Sequence, residues 1–204
     1  MREATVVNPL RLAVLISGSG SGMDALIRHQ NSTQGLHQTV LVLSNISDAA
    51  GLDKAQSHGI ETVTIEIDQS ISNSNQQREQ HEMQIMSVLE EHGVELVILS
   101  GYMRILSPFF VREWKGRLLN IHPSLLPNYP GAHAHRDALA DGAKTTGCTV
   151  HLVDEGVDTG EILAQRELQI DPKDDEKSLS ERVKKLEHQL YPEVIDAFVA
   201  GEFN

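Results

Sequence analysis

The chain predicts an α/β fold: a single-domain, mostly parallel, Rossmann-like sheet flanked by helices, with an antiparallel strand pair near the C-terminal part. Three observations predict it. Short apolar runs alternate with helical stretches, which is the pattern of βαβ units. Several of those runs stop at glycine, serine or proline, the residues that punctuate a strand's mouth. After Gly147 the helices drop out, and two strand-like runs follow one another.

Taken in order, Arg11–Ser17 (RLAVLIS) is a β-prone run reading as a buried strand. The cluster Gly18-Ser-Gly-Ser-Gly22 follows, and Met23, Ala25, Leu26 and Ile27 then predict a helix. Thr39–Leu43 is the second strand. Ser47 or Asp48 can cap a helix reaching about His58, with Gly59 as its C′ residue. Glu61–Ile67 alternates like a strand, and the polar stretch 69–77 reads as a loop. Arg78–His92 puts Met83, Met86 and Leu89 on one helical stripe, which reads as core. Glu95–Ser100 and Leu118–His122 are further buried strands, closed by Gly101 and Pro123. Cys148–Val153 and Ile162–Ile170 form the expected antiparallel pair. In the last helix Ser178 and Glu181 match a capping box, and Pro192 predicts a kink or break. Residues 1–10 read as a short N-terminal arm and 11–204 as one domain.

Composition narrows the function classes. With 29 acidic residues against 17 basic ones, the net charge of −12 argues against gripping a nucleic-acid backbone. Any anionic substrate must then be held by local donors against a repulsive field that salt screens. The one cysteine, Cys148, leaves no internal disulfide or cysteine metal site. There is no apolar run of membrane-spanning length, and residues 1–9 lack the apolar core of a secretory signal. A soluble cytoplasmic protein, monomer or homodimer, acting on small molecules without membrane or nucleic-acid partners, is the expectation.

Three segments fall just after predicted strands, at the edge where open α/β sheets bind ligands. Gly18–Gly22 is an anion cradle: glycines admit a close approach, and the next helix offers free N–H groups. It matches neither a dinucleotide fingerprint, since position 23 is Met, nor a Walker loop. In Asn120-Ile-His122-Pro123, Asn120 and His122 project to one face of a strand. They offer a neutral oxyanion donor and a proton-transfer group; the alternative is a polar strand end bonded to a loop. The loop Val153–Gly160 carries Asp154, Glu155 and Asp158, read as a turn or as the source of a carboxylate for the histidine; an EF-hand spacing is missing. His133 and His135 lack the partners of a zinc set, so no metal is expected. Arg104 is a cation at another strand mouth.

These segments, together with SGYMRILSPFF, GRLLNIHPSLLPNYPGAHAHRDAL, GCTVHLVDEGVDTGEILAQ and LEHQLYPEVI, make the chain resemble the glycinamide ribonucleotide formyltransferases, folate-dependent enzymes of purine synthesis. The resemblance extends from about residue 11 to residue 200. It implies that Asn120, His122 and Asp158 are catalytic, and that Gly20, Ser21, Gly22 and Glu187 bind the ribonucleotide. It implies a folate site at Arg78, Met103, Arg104, Ile105, Leu106 and Asn120, with 10-formyltetrahydrofolate as co-substrate, and so a domain whose N-terminal half binds phosphate and whose C-terminal half binds folate. Two positions depart from the family, which commonly carries Asn where Ser19 and Gly22 stand. Related readings are a 10-formyltetrahydrofolate hydrolase, a methionyl-tRNA or sugar-nucleotide formyltransferase, and an inactive folate- or phosphate-binding module. The first two call for additional domains, for which the chain is expected to have no room. Residues 70–77 and 154–160 are the loops expected to move on folate binding.

Overall fold

In a computed structural model describing residues 2–33 and 35–203, thirteen elements build one seven-stranded sheet with helices on both faces. Met1, the first residue of the expected arm, lies outside the described residues. The strands are β1 (Leu10–Ile16), β2 (His37–Ser44), β3 (Glu61–Thr64), β4 (Leu96–Leu99), β5 (Leu118–His122), β6 (Thr145–Leu152) and β7 (Ile162–Gln169). The helices are α1 (Ser21–Ser32), α2 (Ala50–Ser57), α3 (Ser74–Glu91), α4 (Pro108–Glu113), α5 (Ala134–Ala140) and α6 (Glu176–Val199). Strand order is β3-β2-β1-β4-β5-β6-β7, parallel as far as β5 and antiparallel from β5 through β7. The expected fold class is therefore the observed one.

The alternation of β1 divides the core. Leu12, Val14 and Ile16 pack with α1, α2 and α6 on one face, while Ala13 and Leu15 pack with α3 and α4 on the other. From β1 the chain steps outward to β2 and β3, then returns to the other side of β1 with β4. That reversal opens a crevice between the carboxyl ends of β1 and β4, the topological switch point at which open sheets bind ligands.

Several element boundaries differ from expectation, each for a local reason. Helix α3 begins at Ser74 rather than Arg78, because the Asn73 side chain accepts from the Asn75 and Gln76 amides and caps it. Its buried face is His81, Glu82, Ile85 and Leu89; Met83 is turned out, 62% exposed, so the expected methionine stripe is not the core face. Helix α2 starts from Ala49 without a side-chain cap, so neither Ser47 nor Asp48 caps it, while Gly59 takes the expected left-handed C′ conformation. In α6 the cap is Asp175: its carboxylate accepts the Ser178 amide and Ser178 Oγ accepts the Asp175 amide. Pro192 does not break α6, whose neighbouring Leu190, Tyr191, Val194 and Ile195 are buried in the core. The short helices α4 and α5 were not expected; Ser107 and Pro108 start α4 as cap and first residue. The arm is tied down by Arg2, which pairs with Glu95 at 2.7 Å and donates to the Asn8 and Pro9 carbonyls.

Burial holds His37, His81, His135, His151 and His188 below the ordinary imidazole value of 6.5. His92 is shifted the other way, chiefly by its bond to the Val88 carbonyl. For the five, the unfolded chain takes up protons at a higher pH than the folded one. Their contribution is complete above about pH 6.5 and is lost as the pH falls below it. Glu187, whose buried carboxyl is pushed up to about 7, acts in the opposite sense over this interval, so the test belongs in Glu187→Gln, where the melting temperature should drop by about 5 °C between pH 7.5 and 5.5. A melting temperature that holds or rises over this interval, read by circular dichroism, would count against it.

Candidate active site

Two clefts adjoin at the carboxyl ends of β4 and β5. The first is lined by Tyr102, Arg104, Ile105, Leu106, Asn120, His151 and Asp158, among others. The second is lined by Ser17–Gly22, Ser100, Gly101, Met103, Ile121, Pro123, His135, Lys184 and Glu187, among others. Along β5 successive residues face opposite ways, so Asn120 belongs to the first cleft and Ile121 to the second.

The second cleft grows from the end of β1. Ser17 Oγ donates to Asn45 Oδ1 at 2.6 Å and accepts the Met103 amide at 2.8 Å, joining the mouths of β1, β2 and β4. Gly20 is left-handed at φ 61 and precedes α1 with no side chain to cap it. The first amides of α1 are therefore free for a ligand, with the positive end of the helix dipole behind them. Helix α2 closes the loop from the other side: the Gly51 amide donates to the Gly18 carbonyl at 3.0 Å, and Lys54 Nζ donates to the Ser19 carbonyl at 2.7 Å. A β-carbon on Gly51 would lie 2.4 Å from Ile16 Cδ1, which is why glycine stands there. Burial pushes the Glu187 carboxyl up to about 7, with Lys184 acting in the opposite sense.

At the junction of the clefts, Asn120 pairs directly across the sheet with His151. His151 Nδ1 donates to the Leu152 carbonyl at 2.8 Å, and burial keeps the ring below its ordinary value. Its Nε2 is then a bare acceptor, which takes one hydrogen of the Asn120 amide at 3.1 Å. The second amide hydrogen stays available. His122, 5% exposed, donates from Nε2 to the Tyr129 carbonyl at 2.9 Å and turns Nδ1 toward Asp158 Oδ2 at 3.3 Å. Asp158 also accepts the Gly131 amide at 2.8 Å and is held left-handed at φ 55, a conformation worth explaining in a non-glycine residue. The explanation is that its carboxylate must reach both His122 and residue 131.

The three residues expected to be catalytic are thus brought together, and Gly20, Ser21, Gly22 and Glu187 share the second cleft. Arg104, Ile105 and Leu106 line the first cleft, whereas Met103 lines the second. Arg78 lies on α3 and is among the lining residues of neither. Sequence reasoning missed His151, which a known β5–β6 register would have placed opposite Asn120. It also missed two buried groups on the cleft walls without a partner among the described residues: the Tyr102 hydroxyl and His135 Nδ1. Burial pushes that phenol well above its ordinary value. Among the described residues no set of three or more His, Cys, Asp or Glu is placed to hold a metal ion, and no helix is long and apolar enough to cross a membrane.

Comparison with known proteins agrees with this geometry. Residues 10–195 match the formyl transferase family. The trifunctional purine biosynthetic protein adenosine-3 of Drosophila melanogaster is 48% identical over 193 residues, covering 94% of this chain; the match takes in only 14% of that relative's length. Phosphoribosylglycinamide formyltransferase of Escherichia coli strain K12 is 39% identical over 192 residues, 94% of this chain and 88% of its own. The crystal structure of phosphoribosylglycinamide formyltransferase from Brucella melitensis superposes with a TM-score of 0.86 at 42% identity, covering 95% of this chain and 97% of its own. With its glycine loop, paired Asn120 and His122, and matching sheet, the chain belongs to the formyl transferase family.

Proposed function

We propose that the chain transfers the formyl group of 10-formyltetrahydrofolate to the amine of 5-phosphoribosylglycinamide, giving the formylated ribonucleotide and tetrahydrofolate in cytoplasmic purine synthesis. The observation that carries this reading is the meeting of Asn120, His122 and Asp158 where an anion-cradling cleft adjoins a second cleft with aliphatic walls. In the proposed arrangement the ribonucleotide phosphate lies on Gly20–Gly22 and its sugar end near Glu187. The flat ring system of the folate lies among Arg104, Ile105, Leu106 and the 153–158 loop. Aliphatic walls with a few directed polar groups suit such a ring.

The chemistry then follows from the side chains. The amine attacks the formyl carbon, a carbon–nitrogen bond forms, and the carbonyl oxygen becomes an oxyanion. The free Asn120 amide hydrogen, oriented by His151, stabilises it, with His122 positioned alongside by the Tyr129 carbonyl and Asp158. The tetrahedral carbon collapses by breaking its bond to folate N10, and the proton shed by the attacking amine goes to N10 with Asp158 assisting. Each oxyanion donor is worth about 2.7–4 kcal/mol.

Mixing the protein with 10-formyltetrahydrofolate, with and without the ribonucleotide, and following folate absorbance tests the reading. Release only with the ribonucleotide present is expected. Release without it indicates a hydrolase instead, and no release indicates a binding module.

Asn120→Ala and Asp158→Asn should each lower kcat by roughly 100-fold or more in protein that stays folded. Turnover near the parent rate in either variant removes that residue from the mechanism. Glu187 yields a pH prediction. Near pH 8 its carboxylate is charged and accepts strongly from sugar hydroxyls; as the pH falls through about 7 it is neutralised. The KM for the ribonucleotide should rise toward pH 6. Glu187→Gln should start with a raised KM and show a flatter profile, which separates the effect from titration of the substrate phosphate near pH 6. Identical profiles for the two proteins would exclude the role.

A further inference from the structure

The cradle has a second feature beyond free helix amides. Gly22, in the first turn of α1, leaves no side chain toward the ligand, and a β-carbon built there would lie 2.6 Å from Ser100 Oγ. The Ser100 hydroxyl therefore occupies the space that a side chain at residue 22 would need. Ser100 follows β4, is 9% exposed, and lines the same cleft as Gly20, Ser21 and Gly22. Its amide is used, donating to the Leu15 carbonyl at 3.0 Å, but its hydroxyl has no hydrogen-bond partner among the described residues.

Three polar groups around the loop are already engaged. Ser17 Oγ is bonded to Asn45 and to the Met103 amide, Lys54 to the Ser19 carbonyl, and Ser21 Oγ contacts His188 Nε2 at 3.2 Å. A hydroxyl without a protein partner, on a residue nine-tenths buried that lines the cleft beside uncapped helix amides, leaves a donor open to a ligand there. We propose that Ser100 Oγ is a direct hydrogen-bond donor to the phosphate held at the start of α1, supplying from β4 the side-chain donor that residue 22 lacks. The inference rests on the phosphate reading of this cleft given above. It also suits an acidic chain, because a hydroxyl adds a donor to the cleft that Glu187 lines without requiring a buried cation.

The probe is inorganic phosphate, titrated calorimetrically into the parent protein, Ser100→Ala, Ser100→Cys and the double variant Ser100→Ala/Gly22→Asn. Ser100→Ala should weaken phosphate binding roughly tenfold. It should raise the KM for the ribonucleotide by a similar factor, with kcat and the KM for the folate changed less than twofold. Ser100→Cys, of similar shape but a poor donor, should behave like the alanine variant. The double variant should recover most of the lost affinity, because removing the hydroxyl frees the space for an Asn side chain, whereas Gly22→Asn alone should bind phosphate worse than the parent. Equal phosphate affinity in the parent and Ser100→Ala overturns the proposal, as does a parent that binds no phosphate. A loss in both substrates' KM accompanied by a lower melting temperature, without recovery in the double variant, overturns it in favour of a structural hydroxyl. Phosphate alone is the ligand, so the titration decides the role of Ser100 even where formyl release fails and the transferase reading falls.

Discussion

The pairing register of β5 against β6 is the constraint on which the site depends. It places Asn120 opposite His151 and His122 opposite Thr149. The first pair fixes which hydrogens the Asn120 amide has left to offer. The second reaches further, because Thr149 Oγ1 donates to the Ser124 carbonyl and accepts the Leu126 amide. Those bonds hold the start of the loop after β5, whose Tyr129 carbonyl receives His122 Nε2 and whose Gly131 amide reaches Asp158. A slip of one residue would turn every one of these side chains to the opposite face. Two groups on β5 and one on the loop after β6 are thus positioned by one ladder of main-chain bonds, which runs between the two hydrophobic layers.

Such positioning has local costs. Tyr129 and Asp158 both lie at φ 55, and the Tyr102 hydroxyl and His135 Nδ1 are buried without partners among the described residues. Strained backbone and unpaired groups persist only where the surroundings over-determine them, of the order of 1–3 kcal/mol each. Asp158, Tyr102 and His135 line the two adjoining clefts, while Thr39 Oγ1 on β2 and Thr146 Oγ1 on β6 are likewise buried without partners among the described residues, so such costs are borne by the sheet as well as by the clefts.

How much of this was legible in the sequence depended on the range of the interaction. The strands β1, β4 and β5 are local apolar runs, so periodicity found them, and the glycine cluster after β1 announced its own backbone freedom. Asn120 and His122 were legible because residues two apart on a strand share a face. The start of α3 was not, because Asn73 lies in a polar tract where any of several residues could cap. Met83 misled because apolar character at helical spacing was read as burial, whereas the face that packs carries His81 and Glu82, the latter accepting from Ser107. His151 and Ser100 were invisible for a different reason. Their importance comes from what lies opposite or above them, Asn120 in one case and Gly22 in the other, and no one-dimensional spacing encodes that.

The same reasoning explains how a glycine loop near the start of the chain and a helix near its end come to share one cleft. Tyr191, 2% exposed, donates its hydroxyl to the Leu99 carbonyl at 3.0 Å and so anchors α6 to the last residue of β4. One residue later comes Ser100, whose hydroxyl overhangs Gly22. One turn earlier on α6 come Glu187 and His188, and a turn before them Lys184, at the three- and four-residue spacings that share a helix face. Lys184 and Glu187 line the cleft and His188 touches Ser21. A helix free to slide along the sheet would move a cation, a carboxyl and an imidazole relative to the α1 amides at once. The buried tyrosine bond, together with the Leu190, Val194 and Ile195 packing around it, removes that freedom. The unbroken passage of α6 through Pro192 belongs to the same device, since Pro192 and its apolar neighbours set the depth at which the preceding turn is held.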